Sequence, residues 1–403
     1  MVVKQKKKLI EVALPLEAIN AACKDDKGRK TGHIRNIHKW FAPMPLPALR
    51  ALIFAAVMDA PDDDVRRQHL LDIITGLVAN GPEAPSQVVL DEARKELIDQ
   101  LDGQDAWILD PFCGGGSTLV EAQRLGLQAE GSDLNPIPNL IARALTVLPV
   151  RNRGRKAADS FVEDDASLAQ FQNDIKQYAN RVRDIVLRSI EHNYPKASNG
   201  DPVVYWWWAH TVPSPDPAFA HCETPLVTSW WLCLKVGEEQ YLVPEPDRLT
   251  GQISFRVERG NTPPTPSKSR CIFSNAPITY EYVREQAKHG RLGRMLLATV
   301  SDGDHGRQHW TPDNVHVQAS KMERPEGLPH LPIPQDGLGI SIHNYSVSDW
   351  ADLFTGRQQN MLLAFATAIQ DVPKFVTGDG HSEEYGRDIA AFLGLCLGKL
   401  AQA

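Results

Sequence analysis

Two acidic residues and a run of glycines have the types and spacing that could do chemistry. Residues 106–118 (AWILDPFCGGGST) form an apolar run that ends in Asp110 and continues into a glycine turn. Residues 119–125 (LVEAQRL) have the apolar spacing of a helix, and 127–131 form a second strand just before Asp133. Strand, glycine turn, helix, strand and acid, in this order, predict the front half of a nucleotide-binding α/β unit.

Each part of this pattern has a chemical use. Glycines let the backbone approach a ligand closely, and a helix start offers free N–H groups. Asp133 could accept two hydrogen bonds from ribose hydroxyls. The same pattern also fits a tight strand-to-helix turn that binds nothing.

The residues around the turn discriminate between nucleotides. A dinucleotide site needs a third glycine three residues after the second, whereas residues 114–119 (GGGSTL) end in Leu119. Asp110 would repel a pyrophosphate but suits the cationic amino group of a methionine moiety. This disfavours a nicotinamide oxidoreductase. Residues 110–117 (DPFCGGGS) closely resemble the first motif of S-adenosyl-L-methionine-dependent DNA amino-methyltransferases, and this resemblance implies S-adenosyl-L-methionine as the cofactor.

Composition sets the broad class of the protein. The chain has 403 residues, of which 42% are hydrophobic and 23% charged, as in ordinary soluble proteins with two or three domains. No apolar run is long enough for a bilayer, and no signal peptide follows the basic N-terminus, so we expect a cytoplasmic protein without a membrane partner. Its six cysteines are scattered, which argues against a disulfide framework.

Charge gives a mixed indication about nucleic acid. The net charge of −7 does not favour a stand-alone DNA-binding protein. One segment is nevertheless basic and could contact DNA phosphates, or could be only a solvated face. Its candidate contacts are Arg256, Arg259, Lys268, Arg270, Arg284, Lys288, Arg291 and Arg294.

Seven segments together resemble one family. They are 9–16 (LIEVALPL), 38–42 (HKWFA), 110–117 (DPFCGGGS), 133–136 (DLNP), 211–213 (TVP), 282–286 (YVREQ) and 353–358 (LFTGRQ). In order and spacing the chain resembles the N-terminal half of large prokaryotic adenine-specific DNA methylases that begin with a domain of unknown function. Some of these methylases act in phage defence or restriction-modification.

The resemblance implies a fold and a set of site residues. The fold would be α/β, with an incomplete Rossmann-like methyltransferase sheet, a helical N-terminal region and an inserted β-rich module that resembles a degenerate zinc ribbon. The implied cofactor-binding residues are Asp110, Pro111, Phe112, Gly114, Gly116, Ser117, Asp133, Asn135, Trp40, Pro45 and Leu46. The last three would line the methionine side of the cofactor, at the start of a helix that flanks it.

Five parts of the chain are predicted on this basis. Residues 1–100 form the helical N-terminal region with the cofactor-flanking helix, and 101–160 the S-adenosylmethionine-binding unit. A helical insertion (161–200) precedes the β-rich module (201–280). Residues 281–403 form a basic helix, a Pro-rich loop and the terminal helices of the methyltransferase domain.

The chain departs from the family in the residues for metal binding. Relatives have two cysteine pairs in the β-rich insert, and the matching positions here are Ser214, Phe219, Cys271 and Ser274. Serine and phenylalanine cannot replace zinc-binding thiolates, so we expect no metal. Cys271 and its neighbours Cys222 and His221 are then ordinary buried or surface residues.

The chain also lacks the methylating motif of the family. Amino-methyltransferases need Asp, Asn or Ser followed by Pro-Pro and an aromatic residue that stacks on the flipped base. The one Pro-Pro pair here, Pro263–Pro264, lies between threonines and fits a surface turn. The catalytic residues are therefore unknown from this sequence, and we expect the chain to be inactive without a partner.

Two functions follow from these observations. The first is the cofactor-binding half of a DNA adenine-N6 methyltransferase, whose catalytic half would be a second polypeptide. The alternative is a non-catalytic subunit that binds DNA or a partner, or a truncated remnant of such a methylase.

Overall fold

The structure is a computed structural model that describes residues 6–41, 43–153, 165–304, 306–335, 337 and 339–402. Ala42 of the 38–42 segment and the end of the predicted 101–160 part lie outside the described residues. No helix in the described ranges is long and apolar enough to cross a membrane.

The first hundred residues form four helices around an apolar core. Asp63 and Ser86 accept backbone N–H groups at the starts of the third and fourth helices, as N-cap residues do. Phe54, Ile74 and Leu97 are fully or almost fully buried where the helices meet. The helices are α1 (Leu16–Gly28), α2 (Leu46–Val57), α3 (Asp64–Val78) and α4 (Gln87–Leu101).

The glycine turn lies between two short parallel strands. Asp110 is opposite Gly131 at the carboxyl ends of these strands. Asn135 caps the helix after the second strand by accepting the N–H of Ile137 at 2.9 Å. The elements are β1 (Trp107–Asp110), α5 (Ser117–Arg124), β2 (Gln128–Gly131), α6 (Pro136–Thr146) and α7 (Leu148–Asn152).

The middle of the chain contains two antiparallel sheets. One has four strands in the order β4-β3-β8-β9, and the other has three in the order β5-β6-β7. The strands are β3 (Val203–Pro213), β4 (Glu223–Pro225), β5 (Trp231–Cys233), β6 (Gln240–Pro246), β7 (Ile253–Arg259), β8 (Gly293–Gly303) and β9 (Gly306–Trp310).

The remaining helices lie between or after the elements described so far. The chain divides into a first unit, Met1–Arg183 with Ala366–Ala403, and a second unit, Asp184–Phe365. The remaining helices are α8 (Asp165–Ile190), α9 (Tyr280–Lys288), α10 (Asn314–Ala319), α11 (Gly356–Gln370), α12 (Val372–Gly378) and α13 (Glu383–Leu400).

In the described residues the fold is mixed α/β, with many helices and three small sheets. The predicted strands on both sides of the glycine turn are confirmed, as is the helix between them. The four-stranded sheet continues past residue 280, where we placed the end of the β-rich module, because β8 hydrogen-bonds along β3. The Pro-rich part of the chain that we expected as a loop within residues 281–403 contains α10, which Asp313 caps.

Candidate functional site

The strand ends and the glycine turn are fixed by backbone hydrogen bonds. Ser132 N–H donates to the Asp110 carbonyl at 3.0 Å, and Cys113 N–H donates to the Ser132 carbonyl at 2.9 Å. The chain segments that leave β1 and β2 are therefore held side by side. This arrangement places the residues after both strands at one edge of the sheet, where open α/β sheets bind ligands.

Two glycines of the turn permit close approaches. Gly116, the N-cap of α5, has φ of +82°, and a Cβ there would lie 2.9 Å from the Cα of Ala142 in α6. Gly114 has φ of +50°, and a Cβ would lie 3.0 Å from Nε1 of Trp40. The turn thus supports α6 on one side and is covered by Trp40 on another.

The carboxylate of Asp133 faces the glycine turn. One oxygen accepts the Gly114 N–H at 3.1 Å, and the other accepts the Asn135 N–H at 3.0 Å. Asp110 accepts the N–H of Phe112 at 3.1 Å in the same region. Since each carboxylate oxygen can accept two hydrogen bonds, both acids keep capacity for a ligand.

The negative charge at this edge of the sheet affects the neighbouring thiol of Cys113. Burial raises the pKa of Cys113, and the charges of Asp110 and Asp133 raise it further. The same negative field disfavours a phosphate and favours a cationic group.

A cavity of about 190 Å³ lies on the other side of the turn. Its wall includes Trp40, Leu46 and Ser117. Arg35 and Lys39 contribute positive charge to the wall, although the Arg35 guanidinium already donates to Asp26 and to two carbonyls. The volume is below the roughly 300–1,000 Å³ of usual ligand pockets, so it could take only part of a nucleoside-sized ligand.

The remaining predicted residues have other surroundings. Phe112 is 86% exposed and Pro111 is also exposed, so neither packs against the turn. Pro45 is the N-cap of α2. Asn135 is the N-cap of α6. The structure thus brings together Trp40, Leu46, Gly114, Gly116, Ser117, Asp110 and Asp133 around one turn.

A buried ion pair holds the helices that carry this site, and sequence reasoning missed it. Arg50 in α2 and Glu121 in α5 are both fully buried, with Arg50 Nε 2.6 Å from a Glu121 oxygen. Arg50 also donates to the Leu77 carbonyl at 2.6 Å, and Arg124 is 2.6 Å from Glu121. The signal in the sequence was a lone arginine in the otherwise apolar helix LPALRALIFAAV.

The eight predicted DNA contacts are all exposed, but they are distributed over several elements of the second unit. Arg256 on β7 is 3.2 Å from Glu245 and 2.8 Å from Glu258, which partly neutralise it. Lys268 lies over the ring of Tyr280. The other six are Arg259, Arg270, Arg284, Lys288, Arg291 and Arg294.

The positions that were predicted to correspond to zinc ligands come together in part. Cys271 lies 3.1 Å from the hydroxyl of Ser214 and 3.2 Å from that of Thr224. Burial acts to raise the pKa of Cys271, but hydrogen bonds with Ser214, Ser274 and Thr224 outweigh it, so the pKa is lowered. Phe219 belongs to the apolar cluster around Cys271. Within the described ranges, no group of three His, Cys, Asp or Glu side chains could hold a metal ion.

Comparison with known proteins gives one match. A family model described as "Protein of unknown function (DUF1156)" matches residues 13–72, which include α1, α2 and the start of α3. Trp40, Leu46 and Arg50 lie in this matched segment. No curated protein and no solved structure matches the chain.

Proposed function

We propose that this chain is the S-adenosyl-L-methionine-binding part of a DNA adenine-N6 methyltransferase from a phage-defence or restriction-modification system. The observation that carries the proposal is the position of Asp133. Its carboxylate faces Gly114 across the ends of two parallel strands, and Asp110 is at the adjacent strand end.

The chemistry of the turn fits the cofactor. Asp133 has lone pairs for the ribose hydroxyls, and Asp110 supplies negative charge for the amino group of the methionine moiety. The first N–H groups of α5 have no side-chain cap and could receive its carboxylate. Trp40 and Leu46 offer apolar surface. When bound, S-adenosylmethionine supplies an electrophilic methyl group, and the chain's residues bind and orient it.

The sheet supports a second polypeptide as the catalytic half. Within the described residues, β1 and β2 pair only with each other. Trp107 and Leu109, on one face of β1, are 60% and 70% exposed. Parallel sheets are normally covered on both faces and continued by further strands. We propose that a partner chain adds strands beside β1 and contributes the Pro-Pro-aromatic motif, which this sequence lacks.

A second candidate function is a non-catalytic subunit that binds DNA or a partner. The exposed basic side chains of the second unit favour it. Binding of S-adenosylmethionine discriminates between the two functions, because a purely DNA-binding subunit has no need of the cofactor.

The methyl-transfer proposal is tested with radiolabelled S-adenosylmethionine and unmethylated DNA. The chain alone should transfer no label, since it lacks the Pro-Pro-aromatic motif whose polar groups accept the amine's hydrogens. Addition of the product of the neighbouring reading frame, if that product carries Asp/Asn-Pro-Pro-Tyr, should give N6-methyladenine. Leu109→Lys should abolish this rescue but not cofactor binding, whereas Val65→Lys, on an exposed face of α3, should have no effect. Label transfer by the chain alone would contradict the proposal.

A further inference from the structure

The 353–358 segment (LFTGRQ) forms the start of α11 and is only partly explained by helix capping. Thr355 accepts the Gln358 N–H at 3.3 Å, and the Gln358 side chain accepts the Thr355 N–H at 2.9 Å. This reciprocal pair is a capping box. Gly356 lies against the Met322 carbonyl, where a Cβ has no space. These contacts fix the helix start, but none of them involves the side chain of Arg357.

Arg357 is buried against two aromatic rings that contact each other. Only 5% of the surface of Arg357 is exposed to solvent. The guanidinium carbon is 4.1 Å from the ring centroid of Trp206 on β3 and 5.0 Å from that of Tyr194. The two rings are themselves 5.5 Å apart at 68°. This arrangement holds the guanidinium plane in one place.

The charge of Arg357 has no acidic partner in the described residues. Two other arginines lie over rings, but Arg181 is 3.0 Å from Asp379 and Arg307 is 3.3 Å from Asp302. By contrast, no ion pair forms at Arg357, and its buried Nη1 has no hydrogen-bond partner in the described part of the chain. Burial lowers the pKa of Arg357, yet a guanidinium keeps its charge in proteins. A buried charge without an ion-pair partner is strongly unfavourable.

The surroundings supply further polar groups. Trp206 Nε1–H donates to Nδ1 of His316 at 3.4 Å. His316 is 2% exposed.

We propose that Arg357, packed against Trp206 and Tyr194, binds a phosphate group. The planar fork of a guanidinium matches two phosphate oxygens, and charge-assisted pairs of this kind are among the strongest hydrogen bonds. The phosphate comes from a nucleic-acid strand or is free in solution. All the residues of the site belong to the second unit, so the inference does not depend on the cofactor proposal.

The first experiment compares unfolding temperatures in chloride and in phosphate at equal ionic strength. The variants are Arg357→Met, Arg357→Lys and the control Arg248→Met, an exposed arginine of the same unit. Phosphate should stabilise the wild type and Arg248→Met by several degrees but leave Arg357→Met unchanged, with Arg357→Lys intermediate. In chloride, Arg357→Met should be at least as stable as the wild type, because it removes an unpaired buried charge.

A purely structural arginine gives the opposite pattern. Arg357→Met would then be destabilised in chloride, and phosphate would shift the wild type and this variant equally, which overturns the proposal. The same holds if phosphate has no effect on the wild type, a result that does not require any variant to fold. Stabilisation by acetate equal to that by phosphate would also contradict a phosphate site.

A second experiment identifies the source of the phosphate. A fluorescent single-stranded oligodeoxynucleotide is titrated by anisotropy into the wild type, Arg357→Met and Arg248→Met. If a nucleic-acid strand provides the group, Arg357→Met should bind at least tenfold more weakly, and Arg248→Met less than twofold. Stabilisation by inorganic phosphate without this loss assigns the site to free phosphate. The absence of both effects removes the proposal.

Discussion

At the scale of single residues, the two aspartates have a structural role besides the one predicted from sequence. Each accepts a backbone N–H in the turn, so Asp110 and Asp133 stabilise the loop that they would offer to a ligand. Their types and spacing were visible in the sequence because strand, turn and acid are close along the chain. The contact of Trp40 with Gly114 was not, because it joins residues more than seventy positions apart.

The negative field at the strand ends predicts a pH dependence of Cys113 alkylation. Asp110 raises the pKa of this thiol, so the reactive thiolate forms only at higher pH than usual. Asp110→Asn keeps the acceptor for Phe112 but removes the charge, and should shift the pH profile of alkylation downward. Mass spectrometry of the Cys113 peptide after iodoacetamide treatment measures this shift. Unchanged profiles would mean that the carboxylate exerts no field on the site.

A matched pair of glycines separates backbone strain from packing. Gly116 and Gly103 have similar φ values of +82° and +77°, but of the two only Gly116 has a neighbour, Ala142, within 4 Å of where a Cβ would lie. Each substitution by alanine should lose roughly 1–2 kcal/mol from left-handed strain. Gly116→Ala should lose about 1–3 kcal/mol more from overpacking. If both variants lose the same free energy of unfolding in urea, α6 does not pack closely against the turn.

At the scale of elements, α2 and α5 are joined by the Arg50–Glu121 pair, which fixes the start of α5 relative to Leu46. Glu121 has a second partner in Arg124, whereas Arg50 donates to no acid other than Glu121 within the described ranges. Removal of the shared acid therefore leaves two arginines unpaired.

This asymmetry predicts an order of stabilities. Glu121→Gln should reduce the free energy of unfolding by about 3–5 kcal/mol, the usual loss when one partner of a buried pair is removed. Arg50→Met should lose less unfolding free energy, because Glu121 keeps its ion pair with Arg124 and the introduced methionine is apolar. Urea unfolding followed by circular dichroism tests the order. A greater loss in Arg50→Met than in Glu121→Gln would contradict it.

Local signals in the sequence predicted the helices and strands better than they predicted which strands pair with each other. The break near Gly81 between α3 and α4 and the start of α6 after Asn135 coincide with turn and capping residues that are visible in the sequence. The pairing of β3 with β8 could not be predicted, because these strands are about ninety residues apart. The alternation of apolar and polar residues along a strand does not indicate which other strand it pairs with.

At the scale of the whole molecule, the two units hold different candidate sites. The first unit contains the glycine turn, its acids and the segment matched by the family of unknown function. The second contains the exposed basic side chains and the buried Arg357. On our proposals, one unit binds the methyl donor and the other contacts phosphate, so substitutions in one should leave binding by the other intact.

The central claim is that the glycine turn binds S-adenosylmethionine through Asp133, and calorimetric titration tests it most directly. The wild type should bind with a dissociation constant in the micromolar range, about −8 kcal/mol, and should give no heat with NAD. Asp133→Ala should bind at least tenfold more weakly, whereas Asp105→Ala, an exposed acid just before β1, should bind like the wild type. No heat with S-adenosylmethionine in the wild type, or equal affinity in Asp133→Ala, would contradict the claim.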